Sequence, residues 1–252
     1  MTTDTLPPDS PRPAKPAPAG RRVTTDFDWV IYADATFAGL AVLIPIPFVD
    51  SLLEEYFRRR MPRDIARRRG RTLSPAVLRV INRRRSDGCL AGCLMLPLEL
   101  VIYLLRSLYR TVVYVLSVVD ASNNLSLYWH RAFLLDYLIG CGHLDNLEQA
   151  TTASEALHRV LKSTETSPMV NLAQQIIETA RHQIRALLRA IYRFVRRREE
   201  TAEFKRRRQT IAEQWAEFHD YLIELAGRYD AAYEVVRRER ELAAQQAQSQ
   251  QS

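Results

Sequence analysis

A chain of 252 residues, 47% hydrophobic and 26% charged, is long enough for one or two domains with a sizeable core. Its 36 basic and 29 acidic residues leave a formal charge of +7. Three cysteines, Cys89, Cys93 and Cys141, make no disulfide framework. Glycine is scarce, the long runs favour helix formers, and strand-type alternation of useful length is absent. The expected fold is all-α: an apolar helical bundle with an arginine-rich helical insert, then a long antiparallel helical hairpin of coiled-coil type.

Residues 1–25 are Pro-rich without apolar periodicity, and read as a disordered or polyproline-like tail. The tail carries no apolar h-region of a signal peptide, and a reducing cytoplasm is the simplest compartment. PRPAKPAP reads as a spacer; a proline-rich ligand is the alternative. Residues 26–145 read as an apolar helical domain with a basic segment at 50–87. Residues 146–241 read as the hairpin, and 242–252 as a disordered Gln-rich tail.

The first apolar stretch, Asp26 to Asp50, places Phe27, Val30, Ile31, Phe37, Ala38, Ala41, Val42 and Ile44 at helical spacing. Thr25 and Asp26 suit an N-cap, and Pro45 should end the helix. A buried core helix is the favoured reading over a membrane span, because Asp34 and two prolines fall inside the run. The Pro45-x-Pro47-x-x-Asp50 elbow resembles helical-hairpin segments in membrane-associated bacterial families of unknown role. That resemblance covers few residues and carries over no catalytic residue.

The charge is uneven. Residues 50–87 hold twelve arginines against five acids, while the remaining 24 basic and 24 acidic residues cancel. Lysine occurs only at 15, 162 and 205, a bias that suits a GC-rich bacterial genome. Arg58, Arg59 and Arg60 close a short helix interrupted at Pro62. Arg67, Arg68 and Arg69 precede Gly70, a C′ residue. Ser74-Pro75 is an N-cap and N1 pair opening a helix that finishes in Arg83, Arg84 and Arg85. These three clusters form the candidate anionic-surface site. A solvated face is the plainer reading, since all three also complement helix C-termini.

Residues 88–119 form a second apolar element with one narrow polar seam, again read as a buried helix in preference to a span. Asp120 to Asn124 reads as a turn, with Leu125 to Ile139 returning antiparallel. That register sets Asp136 beside Arg106 and Arg110 as a structural ion pair. Gly140 to Gly142 should end the returning helix. Thr152 with Glu155, and Thr210 with Glu213, read as capping boxes. Ala173, Ile177, Ala180, Ile184, Leu187, Ile191 and Phe194 recur at heptad spacing. So do Ile211, Trp215, Phe218, Leu222, Leu225, Tyr229, Ala232 and Val236. The expected hairpin seam joins Ile184, Leu187 and Ile191 to Trp215, Phe218, Leu222 and Leu225.

Chemistry is sparse. Cys89, Cys93, Cys141 and His143 have zinc-ligand types, but the expected register holds Cys141 about 15 Å from Cys93. No metal site, cofactor or catalytic residue is expected, and no phosphate loop or nucleophile motif occurs. Asp34, Glu99 and Asp136 are acids in apolar surroundings. The expected function is a non-enzymatic scaffold or adaptor at the inner face of the cytoplasmic membrane, bound through the arginine clusters and the apolar helices. The alternative is a soluble cytosolic protein binding nucleic acid or an acidic partner through the same segment, with nucleic acid less favoured. Self-association or a partner helix would use residues 168–241. An enzyme built on the three buried acids is the third reading.

Overall fold

The computed structural model describes residues 23–43, 49–83, 110–164, 167–179, 193 and 202–250. Every regular element among them is helical. Helix α1, Trp29–Leu40, starts at Asp28, whose Oδ1 accepts from the Val30 N–H at 2.9 Å. The cap is therefore Asp28 and not Thr25 or Asp26. Thr25 is held elsewhere: its carbonyl accepts from the Trp215 indole at 2.9 Å, and its hydroxyl lies 2.6 Å from His219 Nδ1. A 3₁₀ turn, Ala41–Leu43, follows α1. Twelve residues extend about 18 Å, short of a bilayer core. No described helix is long and apolar enough to cross a membrane. α1 is instead buried almost all round.

Helix α2, Val49–Arg68, runs through Pro62 without a break, contrary to the interruption expected there. An interior proline costs about 3 kcal/mol. Met61, Ile65 and Ala66 beside it are all in the core, and burying such side chains is worth about 1.5–3 kcal/mol for each large one. Gly70 ends α2 as read from the sequence. It takes φ 66°, its N–H reaches the Arg67 carbonyl, and the Arg71 N–H reaches that of Ala66 at 2.8 Å. Helix α3, Pro75–Ile81, begins at the expected cap, with the Val77 N–H 3.3 Å from Ser74 Oγ.

Helix α4, Arg110–Gly140, contains the residues expected to turn. Asp120 to Asn124 are turn formers by composition. Here Ala121 and Ser122 continue the buried face of Val118, Leu125 and Tyr128. The Ser122 hydroxyl donates to the Val118 carbonyl at 2.7 Å, so helix and side chain are satisfied together. The hairpin register fails with the turn. Arg110 and Asp136 lie about 39 Å apart on one helix and make no pair. Gly142, at φ 76°, closes α4.

Helix α5, Leu147–Lys162, is capped by Asn146, whose Oδ1 accepts from the Gln149 N–H at 2.8 Å. Thr152 is thus an interior residue, on the buried face of Ala153 and Ala156. Helix α6, Met169–Thr179, follows Ser167, whose Oγ accepts from the Met169 N–H. Helices α7, Ala202–Ala216, and α8, His219–Ser249, meet at a break over Glu217 and Phe218. Thr210 lies inside α7, its hydroxyl bonded to the Arg206 carbonyl, and caps nothing. The Gln-rich end is helical to Ser249, not disordered as expected. It holds alanine and glutamine with no glycine or proline before 250, and is exposed, so intrinsic propensity carries it.

α4 is the spine. α1, α2 and α6 pack on it, α8 lies along α5, and α3 rests on α5. One apolar core runs from Tyr32 to Val236, across the boundary expected at 145/146. Phe27, Tyr32, Trp129 and Trp215 form an aromatic knot; Tyr32 and Trp215 centroids are 4.6 Å apart. α8 is fastened by Tyr137 O–H donating to Asp230 at 2.6 Å and by the His143 ring stacked 4.0 Å from Tyr233. Of the expected seam, Trp215, Leu222 and Leu225 are buried and Phe218 is half-buried. Ile184, Leu187 and Ile191 lie outside the described residues. The described parts of the two heptad stretches sit on different helices, α6 on α4 and α8 on α5.

α1 touches α4 closely at Gly39. A Cβ there would stand 2.5 Å from Leu125 Cα, so the crossing admits only glycine.

Candidate anion-binding cavity

The arginine clusters do not form a common cationic face. Consecutive helical residues point about 100° apart, so three arginines in a row cannot share one side. The arginines at 58–60 and 67–69 each meet an acid instead. Arg58 is buried and donates from Nε and Nη2 to Glu55, both at 2.8 Å. Arg59 also binds Glu55. Arg60 Nε donates to Asp64 at 2.6 Å and lies 3.5 Å from Asp34. Arg67 lies 3.6 Å from Asp64, and Arg68 3.0 Å from Asp28. Arg69 grips Asp136 with two bonds of 2.5 and 2.6 Å, replacing the Arg110 partner expected from the hairpin. Arg71 binds Asp145 at 2.5 Å. Six of the nine expected anion-binding arginines are thus engaged within the fold, although Arg59, Arg67 and Arg68 keep exposed side chains. Arg84, Arg85 and Arg106 lie outside the described residues.

The buried acids are structural by the same geometry. Asp34 is pushed up to about 7, chiefly by burial; Arg60 opposes the rise and the Asp64 carboxylate adds to it. Asp34 and Asp136 hold different arginines and form no common site. Glu99 lies outside the described residues. So do Cys89 and Cys93, and no cluster able to hold a metal ion occurs among the described residues.

A different place concentrates positive charge. A cavity of about 540 Å³ opens between α2, α4, α5 and the starts of the segments after α3 and α5. Arg58 reaches it from α2, and Arg83 from just past α3. Asn123, Asn124, Leu127, Tyr128 and Arg131 come from α4. His158, Leu161 and Lys162 come from α5, and Thr164 and Val170 close it. No carboxylate is among these described lining residues.

Arg131 is the unusual member. One Nη2 N–H donates to the Ile81 carbonyl at 2.9 Å, but its buried Nε has no hydrogen-bond partner. Burial, and next the Arg58 charge, lower its guanidinium to about 10, which leaves it cationic at neutral pH. Tyr128, burial-raised and bonded to Glu54 Oε1 at 2.7 Å, stays a phenol. Tyr128 and Glu55 oppose the fall, and Glu55 is hydrogen-bonded to Arg58 and Arg59. Arg83 and Lys162 are exposed, with no ion pair among the described residues. A guanidinium beside further cations in a cavity suits an oxyanion.

Sequence reasoning singled out Arg58 and Arg83 but not Arg131 or Lys162. The available signal was a cation at 131 on the apolar face of Tyr128 and Leu135, three before and four after it.

The sequence also gave no histidine a serine partner, yet folding brings one. His130 Nε2 lies 2.9 Å from Ser167 Oγ and 2.8 Å from the Tyr221 hydroxyl, and Nδ1 lies 2.6 Å from the Ser126 carbonyl. Burial lowers the imidazole to about 4, so it is neutral at pH 7, with Nε2 accepting. Ser167 is buried and already caps α6, and no carboxylate orients the ring. The group joins α4, α6 and α8 as a polar pin.

Comparison of the chain with protein-family models, with curated proteins and with solved structures gave no match.

Proposed function

We propose that this protein is a non-enzymatic helical binding protein, an adaptor that recognises an anionic partner group at the Arg131 cavity. The observation that carries the reading is a cavity whose described lining holds Arg58, Arg83, Arg131 and Lys162 and no acid. Arg58 and Arg83 of the basic segment contribute to this site, and Arg59, Arg60, Arg67, Arg68, Arg69 and Arg71 are spent on internal ion pairs. The adaptor part of the reading draws on α8. Beyond Val236 it continues to Ser249 as a helix with exposed side chains, joined to α5 by the Arg159–Glu239 pair.

The test is binding of a fluorescein-labelled poly-glutamate peptide to the full chain, followed by anisotropy at low salt. Affinity should fall as salt rises, and the Arg83→Gln/Lys162→Gln variant should weaken it at least tenfold. Equal affinity for wild type and variant would remove the cavity from the function.

A further inference from the structure

Building on that reading, we infer that the group entering the cavity is the dianionic head of a phosphate monoester, held by Arg131 with Arg83 and Lys162, its organic part against Leu161 and Val170. Three observations lead there. First, size: about 540 Å³ matches a small-molecule pocket, whereas a nucleic acid duplex would need an open groove. Second, depth: Arg131 lines the cavity as a half-buried residue of the spine helix, so a group must enter to meet its guanidinium. Third, charge: Arg58 is compensated by Glu55, which leaves Arg83, Arg131 and Lys162 as cations without carboxylate partners among the described residues. Three positive groups around one concavity balance a dianion better than a carboxylate. A guanidinium offers directed N–H donors to phosphate oxygens where an ammonium offers a point charge, leaving a further oxygen for the cations at the rim. The apolar Leu161 and Val170 give the cavity a second character that inorganic phosphate alone would leave unused.

Isothermal titration of the full chain at pH 7.5 and low salt tests this, with phenyl phosphate, inorganic phosphate and benzoate as probes. Phenyl phosphate should bind one to one, inorganic phosphate more weakly, and benzoate at least tenfold more weakly than phenyl phosphate. Arg131→Lys keeps charge but loses the directed donors, and should weaken phenyl phosphate at least tenfold. Should that variant fail to fold, Arg83→Gln at the rim should weaken it about threefold to tenfold. Vesicles containing phosphatidic acid separate the sources. Binding competed by phenyl phosphate identifies a lipid headgroup; no vesicle binding beside intact phenyl phosphate binding identifies a soluble ester. Benzoate binding as tightly as phenyl phosphate overturns the phosphate assignment. Poly-glutamate binding that depends on Arg83 and Lys162, without phenyl phosphate binding, overturns this inference and leaves the broader reading standing. Loss of both overturns both.

Discussion

Arg69→Ala should destabilise the protein more than Asp136→Asn, although the two changes break the same pair. Asp136 is 5% exposed and lies on the spine helix α4. Both its oxygens take a bond from Arg69. Removing the arginine leaves a carboxylate with nowhere to turn, a loss of about 3–5 kcal/mol. Removing the carboxylate charge is milder. The Arg69 side chain is 32% exposed and can swing toward water, so about 1–2 kcal/mol is expected. Urea unfolding followed by helix circular dichroism and by the fluorescence of Trp29, Trp129 and Trp215 would measure both. The double variant should show coupling of about 1–3 kcal/mol. Arg110→Ala should be uncoupled to Asp136, because α4 passes straight through 120–124 and carries the two far apart. Coupling of Asp136 to Arg110 in place of Arg69 would refute the reasoning and restore a hairpin at that point.

Two glycines should respond with opposite signs. Gly39→Ala drives a methyl into the α4 backbone and should cost about 2–3 kcal/mol, whereas Gly227→Ala meets nothing within 4 Å inside α8 and should gain about 1 kcal/mol; like-signed shifts in urea midpoint would contradict the packing. Stability against pH should be shaped by two buried groups of opposite sense. Asp34 moves from 3.8 to about 7, so its contribution is complete below 3.8 and lost as pH rises through 7. His130 moves from 6.5 to about 4, so its contribution is complete above 6.5 and lost as pH falls toward 4. The two slopes oppose one another between about 4 and 6.5. Asp34→Asn should unmask the histidine, and the variant should gain on wild type by up to about 1.4 kcal/mol per pH unit across 4 to 7. A difference that does not change with pH would mean Asp34 is not held protonated.

What local chemistry dictates was legible in the chain. Gly70 and the Ser74-Pro75 pair mark helix ends where they were expected, because each acts within one turn of itself. The all-helical class followed from composition and period. The failures share one cause, which is that tertiary packing outranked a local signal. Asp120 to Asn124 read as a turn by residue type, yet Ala121, Ser122 and Leu125 are needed on the buried face of α4. Pro62 read as a break, yet its neighbours Met61 and Ile65 fill the core on one uninterrupted helix. The arginine runs read as a cationic surface because sequence shows their number but not their directions. Their partners, Asp28 and Asp136, come from 40 and 67 residues away. The cavity was illegible for the same reason: Arg131 is an arginine set among apolar residues of α4, and only the fold sets Arg83 and Lys162 near it.

The central claim is that position, and not total charge, decides anion recognition. It is tested most directly by comparing two variants that each remove two positive charges, Arg83→Gln/Lys162→Gln at the cavity and Arg67→Gln/Arg68→Gln on exposed α2, for phenyl phosphate affinity at fixed ionic strength. The structure predicts a loss of at least tenfold for the first pair and less than about threefold for the second. Equal losses, or a greater loss for the α2 pair, would return recognition to a diffuse basic surface and contradict the account.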